Sequence, residues 1–314
     1  MMRFLVRRLL AVLPTLIGVT IIAFLILHLT PGDPARLIGG PDATEADLQT
    51  IRIQLGLDQP LLVQYWEFIS GLFTGDLGES WYMRVPVNQL ISEALPRSLE
   101  LIVAAMILAT VIGVLCGVIA AKWRNSIIDR LTMLGAMVGI SMPNFWLGQL
   151  LILWISVKLG WLPVSGLGNN PWSIDGLRHL ILPAVAAAVP SAAYLARLTR
   201  STMLEIMRQD YIRTARAKGL AEAIVLLKHA LRNTLIPVVT LIGMQFGSLL
   251  GEAVIVETVF AWPGLGRLII NATFSRDFPV VQGGVVVIAV AFIIINILVD
   301  ISYKFLDPKV SLDK

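Results

Sequence analysis

Cysteine and histidine are scarce in this sequence of 314 residues. The only cysteine is Cys116, so no disulfide can form within the chain. The three histidines, His28, His179 and His229, are far apart in sequence and fall at the ends of three different apolar segments. Neither residue type occurs at the spacing that a zinc site requires, so we predict no metal site.

Motifs for nucleotide binding and hydrolysis are also missing. No Gly-x-x-x-x-Gly-Lys-Ser/Thr phosphate-binding loop is present, because Lys218-Gly219 stands in the reverse order. There is no His-Glu-x-x-His zinc motif and no Gly-x-Ser-x-Gly nucleophile motif. We therefore predict a protein that is not an enzyme, has no catalytic residues and carries no cofactor of its own.

Charged residues are few, and long apolar runs dominate the sequence. Only 15% of the residues are charged and 56% are hydrophobic, which is more apolar surface than a soluble domain of this size can bury. A helix needs about 20 apolar residues to cross the hydrocarbon core of a bilayer. The segments that satisfy this requirement are 9–29, 99–121, 130–157, 179–197, 233–257 and 280–303. The sequence predicts an all-α membrane protein with six transmembrane helices.

The net charge of +4 does not indicate nucleic acid binding, because most basic residues share one side of the predicted topology. If the N-terminus is cytoplasmic, the basic residues on the cytoplasmic side are Arg3, Arg7, Arg8, Lys122, Arg124, Arg130, Arg197, Arg200, Arg208, Arg213, Arg216, Lys218, Lys228, Arg232, Lys304, Lys309 and Lys314. Basic residues concentrate on the cytoplasmic side of membrane proteins. We therefore predict that both termini are cytoplasmic.

The predicted spans divide the chain into a first span, an outer loop, a core of five spans and a tail. Their bounds are 1–29, 30–98, 99–303 and 304–314. The first apolar run is too long for a cleaved signal peptide, so we interpret it as a retained span. In the outer loop, Thr44 and Asp47 resemble a capping box, Gly56 can end the helix that follows, and Pro60 can begin a second helix. These helices either contribute to substrate passage and docking or serve only as spacers.

The segment 198–232, between the fourth and fifth spans, differs from an ordinary solvated basic loop. One apolar stripe at helical spacing consists of Leu204, Met207, Tyr211 and Ala215, and a second consists of Ile224, Leu227 and Leu231. Gly219 ends the first helix, and residues 214–219 are small or flexible. We predict a helical hairpin whose corner fits a socket on a soluble partner.

The ten residues 210–219 resemble the cytoplasmic coupling loop of ABC-importer permeases, in the form found in dipeptide, oligopeptide, nickel and glutathione permeases. Of the general pattern of that loop, which is Glu-Ala-Ala, three residues, Gly, nine residues and Ile-x-Leu-Pro, only Ala215, Gly219 and Leu231 match. Further matches to the peptide-permease version follow in order along the chain: Pro31-Gly32-Asp33-Pro34, Gln54-Leu55-Gly56-Leu57-Asp58, Pro60, residues 228–233, residues 257–260 and residues 262–266. The chain is most similar to the first of the two permeases in such importers.

The resemblance implies a type I ABC importer permease fold in the cell inner membrane. It implies a second homologous permease, two ATPase subunits that bind ATP and Mg²⁺, an extracytoplasmic substrate-binding protein and membrane lipid as partners. The residues that would couple to an ATPase subunit are Asp210, Tyr211, Arg213, Thr214, Ala215, Arg216, Ala217, Lys218 and Gly219. A bulky residue at Gly219 would then clash in the socket or disturb the turn. The substrate is a peptide of the dipeptide, glutathione or oligopeptide kind, with a nickel-type importer permease as the alternative.

Residues inside the spans supply two further hypotheses. Gly243, Gly247 and Gly251 recur at four-residue spacing, which favours close helix packing, either within the chain or against the second permease. The polar candidates for the translocation path are Asn144, Gln149, Gln245, Glu252 and Glu257. An ion-coupled or facilitative carrier, and a membrane scaffold that recruits a soluble protein, are the alternative functions.

Overall fold

The computed structural model describes residues 2–29, 33–40, 42–168 and 173–306. Within these ranges the protein is helical and contains no β-strand, which confirms the all-α prediction. Pro31-Gly32 and the part of the tail from residue 307 lie outside the described residues.

The helices of the described ranges follow one another in a simple order. They are α1 (Met2–Leu29), α2 (Pro34–Gly39), α3 (Glu45–Gln54), α4 (Leu61–Thr74), α5 (Val87–Lys122), α6 (Ile127–Ser141), α7 (Asn144–Leu151), α8 (Ile174–Ile206), α9 (Asp210–Ala217), α10 (Glu222–Ile224), α11 (Arg232–Val259), α12 (Leu265–Phe274) and α13 (Phe278–Leu306). A π-helical segment, Ile152–Lys158, continues α7, and another, Val225–Leu231, joins α10 to α11.

Four described helical stretches are long and apolar enough to cross a membrane. They are Val87–Lys122, Ile174–Ile206, Glu222–Val259 and Phe278–Val299. A bent pair, Ile127–Ser141 with Asn144–Lys158, is a fifth candidate, and the apolar part of α1, Val12–Ile26, is shorter. These stretches coincide with predicted spans, while the count of six stays a prediction.

The predicted third span, 130–157, is not one straight helix. α6 ends at Ser141 and α7 begins at Asn144, and the chain bends by 108° between the two segments. Pro143 cannot donate a backbone hydrogen bond and disfavours the helical conformation at the preceding residue. Met142 accordingly adopts an extended conformation, with φ of −85° and ψ of 124°. Hydropathy marks the apolar stretch but carries no information on its direction.

Contacts divide the chain into two compact units, of which the first comprises residues 1–98 and 263–294. Its apolar core contains Val87, Ile91, Ala94, Leu265, Ala272, Val280 and Val281. The buried Asp277 carboxylate accepts hydrogen bonds from the Ser80 hydroxyl, from Trp81 N at 3.0 Å and from Tyr82 N at 3.4 Å. This carboxylate holds the loop that precedes α5, and α5 itself begins well before residue 99.

The short helices of the outer loop form as their caps predict. The Thr44 side chain accepts from Asp47 N at 3.3 Å, and the Asp47 carboxylate accepts from Thr44 N at 3.0 Å, which confirms the capping box. Gly56 follows the end of α3 with a φ of +66°, a conformation that favours glycine. Pro60 is the N-cap of α4, as predicted.

The second unit comprises residues 99–262 and 295–314, and α8 is its central helix. The apolar window of α8 is 61% buried, against 33% to 39% for the other membrane-length helices. Gly113 and Gly117 of α5 pack directly on α8, because a Cβ at Gly117 would lie 2.7 Å from the Ala196 carbonyl oxygen and 2.5 Å from the Thr199 Cβ. Small residues at four-residue spacing permit this close approach.

Candidate functional site

The predicted hairpin at 198–232 forms a compact corner in the second unit. α8 extends to Ile206, a short turn leads into α9, and a second turn at Gly219 leads into α10. A small apolar core beneath the corner contains Ala121, Met203, Ile212, Ala215, Val225, Leu226 and Ala230. The corner is therefore packed onto the apolar helices and is not a free loop.

The buried faces of the two short helices differ from the predicted stripes. Ile212 is fully buried while Tyr211 is exposed, and in the next helix Val225 and Leu226 are buried while Leu227 is exposed. The prediction assumed that the helix containing Leu204 continues without interruption beyond residue 209. A non-helical turn interrupts the chain at 207–209 and shifts the phase of α9 by one residue. Ala215 is common to both faces.

Tyr211 has a polar contact instead of an apolar one. The Asn233 side-chain amide donates a hydrogen bond of 2.7 Å to the Tyr211 hydroxyl. Asn233 lies in the first turn of α11, so this contact joins the corner to the membrane-length helix that follows it.

One ion pair spans the Gly219 turn, and a second, exposed one lies within α9. Arg216 donates two hydrogen bonds to the Glu222 carboxylate, from Nε at 3.1 Å and from Nη2 at 2.7 Å. This paired geometry fixes direction as well as distance, and the carboxylate raises the pKa of the Arg216 guanidinium. Within α9, Arg213 Nη1 lies 3.1 Å from the Asp210 carboxylate.

The backbone conformation favours glycine at position 219, whereas neighbouring atoms of this chain leave space for a side chain. Its φ is +78°, a backbone angle that residues other than glycine rarely adopt, and no atom lies within 4 Å of the position that a Cβ would occupy. The predicted effect of a bulky residue on the turn therefore acts through the backbone conformation. A clash in a partner socket stays a prediction.

The outward surface of the corner is open and mainly basic. Among the coupling candidates all except Ala215 are exposed, namely Asp210, Tyr211, Arg213, Thr214, Arg216, Ala217, Lys218 and Gly219. A cleft of about 610 Å³ lies beside them at the end of α8. Its lining residues are Arg200, Ser201, Leu204, Glu205, Arg208, Gln209 and Asp210.

A buried ion pair that the sequence reasoning missed ties α6 to α8 near this cleft. Arg200 Nε and Nη2 donate to the two carboxylate oxygens of Asp129 at 2.6 Å and 2.8 Å. Asp129 is only 3% exposed and also accepts from Asn125 N at 2.9 Å. The charge pattern of the sequence identifies Arg200 only as one of the basic residues of the loop. The one local signal was Ser126, three residues before Asp129, which caps α6.

The polar candidates for the translocation path do not form one cluster. Asn144, at the first turn of α7, donates a 3.0 Å hydrogen bond to the Glu252 carboxylate of α11. Gln245 donates to the Ser191 hydroxyl of α8 at 3.3 Å. Gln149 is exposed, whereas Glu257 is 1% exposed. The Pro143 bend brings Asn144 to Glu252, and the sequence alone could not predict this pairing.

The glycine stripe of α11 is divided between the interior and the surface. Gly243 and Gly247 are buried within the chain, whereas Gly251 is exposed. No atom lies within 4 Å of the position of a Gly251 Cβ. Gly251 is therefore the stripe member that another subunit can reach.

Comparison with known proteins identifies the family. Residues 113–312 match the family model described as the binding-protein-dependent transport system inner membrane component, and residues 1–102 match its N-terminal counterpart. The chain is 46% identical, over 310 residues and 99% of both chains, to the glutathione transport system permease protein GsiC of Escherichia coli strain K12. The same protein of Shigella dysenteriae serotype 1 has the same identity and coverage.

Solved structures share the fold. An inward-facing MetNI methionine ABC transporter chain matches with a TM-score of 0.57 and 21% identity, covering 70% of this chain and 97% of that chain. An amino acid ABC transporter chain matches with a TM-score of 0.52 and 20% identity, covering 69% and 94%. Together with the apolar helices, these matches show that the chain belongs to the multi-pass inner-membrane permease subunits of binding-protein-dependent ABC importers.

Proposed function

We propose that this chain is one of two permeases in an ATP-driven importer of glutathione or short peptides. Six spans with both termini in the cytoplasm would place the corner at Asp210–Gly219 on the side of the ATPase subunits. ATP and Mg²⁺ would bind in those subunits, and a binding protein would deliver substrate on the other side. The exposed and clamped corner is the observation that carries this proposal, and the similarity to glutathione permeases supports the substrate class.

The contacts of the corner support a role in transmitting movement. Ile212 and Ala215 join α9 to the core that contains Met203 of α8, and Tyr211 joins α9 to α11. A force applied to the exposed side of α9 would therefore act on two long helices. The Asp129–Arg200 pair would carry the displacement of α8 to α6. Closure of the ATPase subunits would act through these links, so that the translocation path opens alternately to the two sides of the membrane.

The cleft at the end of α8 supports the position of the ATPase contact. It is lined by both acidic and basic side chains, Glu205 and Arg208 among them, so it can form ion pairs with a charged partner surface. An adjoining corner and cleft give a partner two points of attachment, which would allow it to pull as well as push.

The Asn144–Glu252 pair is the part of the proposed path best supported by geometry. Polar side chains inside membrane helices are costly and are usually retained for function. The Glu252 carboxylate would bind the ammonium group of a peptide, and Asn144 would orient that carboxylate. We expect Glu252→Gln to raise the KM for peptide uptake more than it lowers the maximal rate. An unchanged KM would exclude Glu252 from substrate binding.

Purification from the native membrane in mild detergent tests the assembly. A tagged chain should bring with it a second permease and two ATPase subunits with P-loops, and a ligand on an attached binding protein would name the substrate. Recovery of the chain alone, able to move solute in liposomes without ATP, would favour an independent carrier. Recruitment of an ATPase without any uptake would favour a scaffold.

Crosslinking tests the corner directly. With Cys116→Ala as background, Lys218→Cys should crosslink to an ATPase subunit, and the yield should change when ATP binds. Lys158→Cys is the matched control, because Lys158 is also an exposed lysine but lies outside the corner. Equal crosslinking at both positions would contradict the proposed contact.

A further inference from the structure

Helix α4 lies in the loop predicted to be extracytoplasmic, yet it is apolar on two sides. Leu62, Trp66 and Phe73 are 83%, 71% and 89% exposed. Their spacings of four and seven residues place them on one face of the helix. A water-soluble loop helix would carry polar side chains on such a face.

The opposite side of α4 packs along α1. The Tyr65 hydroxyl lies 3.0 Å from the Thr20 hydroxyl, and the Phe24 ring meets the Tyr65 ring edge-on at 5.3 Å. At the other end of the contact, His28 Nε2 lies 3.2 Å from the Gln64 side-chain oxygen. The first turns of α4 therefore contact α1 over the stretch from Thr20 to His28.

This contact extends far along α1. Thr20 precedes the helix end at Leu29 by about 14 Å at the α-helical rise of roughly 1.5 Å per residue. Half of the hydrocarbon core of a bilayer is about 15 Å. Exposed apolar side chains also continue along α1, among them Ile17 and Ile22. The contacts of α4 thus lie beside the apolar part of α1 and not beyond its end.

The polar side chains of α4 are satisfied locally, as an apolar environment requires. Gln64 Nε2 donates to the Gln59 carbonyl oxygen at 2.8 Å, and the hydroxyls of Ser70 and Thr74 donate to carbonyl oxygens of their own helix at 2.9 Å and 3.1 Å. The only charged residue of α4, Glu67, lies about 100° around the helix from Trp66. Its exposed side chain lines an open pocket of about 440 Å³ together with Asp76, Glu79 and Arg84.

We propose that α4 is inserted in the outer leaflet of the membrane, with Leu62, Trp66 and Phe73 in contact with lipid acyl chains. The inference rests on the proposed topology, in which α1 crosses the membrane. α4 has 14 residues and is about 21 Å long, too short to cross the core. Both ends of α4 would therefore lie on the outer side of the membrane. Lipid is the partner because the opposite side of α4 is held against Thr20, Phe24 and His28, beside the apolar part of α1 that would cross the membrane.

Nitroxide accessibility in vesicles of phosphatidylethanolamine and phosphatidylglycerol tests this placement. In the Cys116→Ala background, single labels are introduced in the assembled importer by Leu62→Cys, Trp66→Cys or Phe73→Cys. Ile22→Cys in α1 is the lipid reference, and Gln54→Cys at the exposed end of α3 is the water reference. Collision rates with oxygen, which partitions into lipid, and with a soluble nickel chelate are measured for each label.

The α4 labels should show an oxygen-to-nickel collision ratio several-fold above that of Gln54→Cys and similar to that of Ile22→Cys. Lipid-like values at Ile22 with water-like values at all three α4 positions would overturn the inference and leave the topology intact. Water-like values at Ile22 as well would overturn both. Labels that are water-like until the binding protein is added, and are then protected, would identify α4 as a protein-docking face instead.

Discussion

Replacing Gly117 by alanine should destabilise the protein, although the same change elsewhere in a helix normally stabilises it. Alanine is more favourable than glycine within a helix by about 0.5–1 kcal/mol. At Gly117 the new methyl group would lie 2.7 Å from the Ala196 carbonyl oxygen and 2.5 Å from the Thr199 Cβ. Neither is the far end of a flexible side chain, so α5 and α8 must separate. Overpacking of this kind costs about 1–3 kcal/mol.

Gly135 of α6 provides the matched control, because no atom lies within 4 Å of its Cβ position. We expect Gly135→Ala to be neutral or to stabilise by up to about 1 kcal/mol. The assay is unfolding of the purified chain in mixed micelles with increasing fractions of dodecyl sulfate, followed by tryptophan fluorescence. Gly117→Ala should unfold at a lower fraction than the unchanged chain, and Gly135→Ala should not. Identical midpoints for the two variants would refute the close α5–α8 contact.

Three further substitutions test the polar contacts. Asp129→Asn should destabilise the chain by about 1.5–3 kcal/mol, because it weakens the charge-assisted hydrogen bonds from Arg200, whose side chain still reaches solvent; if the double variant with Arg200→Met does not recover stability, the pair is not the cause. Arg52 holds the pKa of Asp33 below its ordinary value, so their contact stabilises the folded loop above the ordinary aspartate range and is lost as pH falls through the lowered pKa. The excess protease sensitivity of Asp33→Asn at neutral pH should therefore shrink well below about pH 4, whereas a constant excess would argue against the ion pair. Asp277→Ala should free the loop before α5, because it removes the acceptor of three hydrogen bonds, and should raise the loop's rate of amide hydrogen exchange; unchanged exchange would show that the carboxylate is not what holds it.

The sequence predicted those features that depend on neighbouring residues. The apolar runs located α5, α8, α11 and α13, and the capping residues around Thr44 predicted the start of α3. In each case the determining signal lies within a few residues of the feature. The composition of the corner likewise predicted a helix ending at Gly219, which has the expected positive φ.

Features that depend on distant or directional contacts were not predictable. The pairing of Asp129 with Arg200 joins residues 71 apart, and no local pattern marks either as the partner of the other. Ile212 was missed because the turn at 207–209 resets the helical phase. The packing of Gly117 against α8 needed the identity of the opposing helix, which small-residue spacing does not provide.

Reconstitution of the Gly219→Asp importer, with ATP hydrolysis and substrate uptake measured in the same vesicles, tests the central claim most directly. Aspartate tolerates a positive φ better than most residues, and the space around Gly219 is open, so the chain should still fold and insert. Gly160→Asp places the same residue in an equally open positive-φ turn outside the corner. Coupling through the corner predicts that Gly219→Asp loses uptake and that its ATP hydrolysis no longer responds to substrate, while Gly160→Asp is unaffected. Normal uptake by Gly219→Asp would contradict the account.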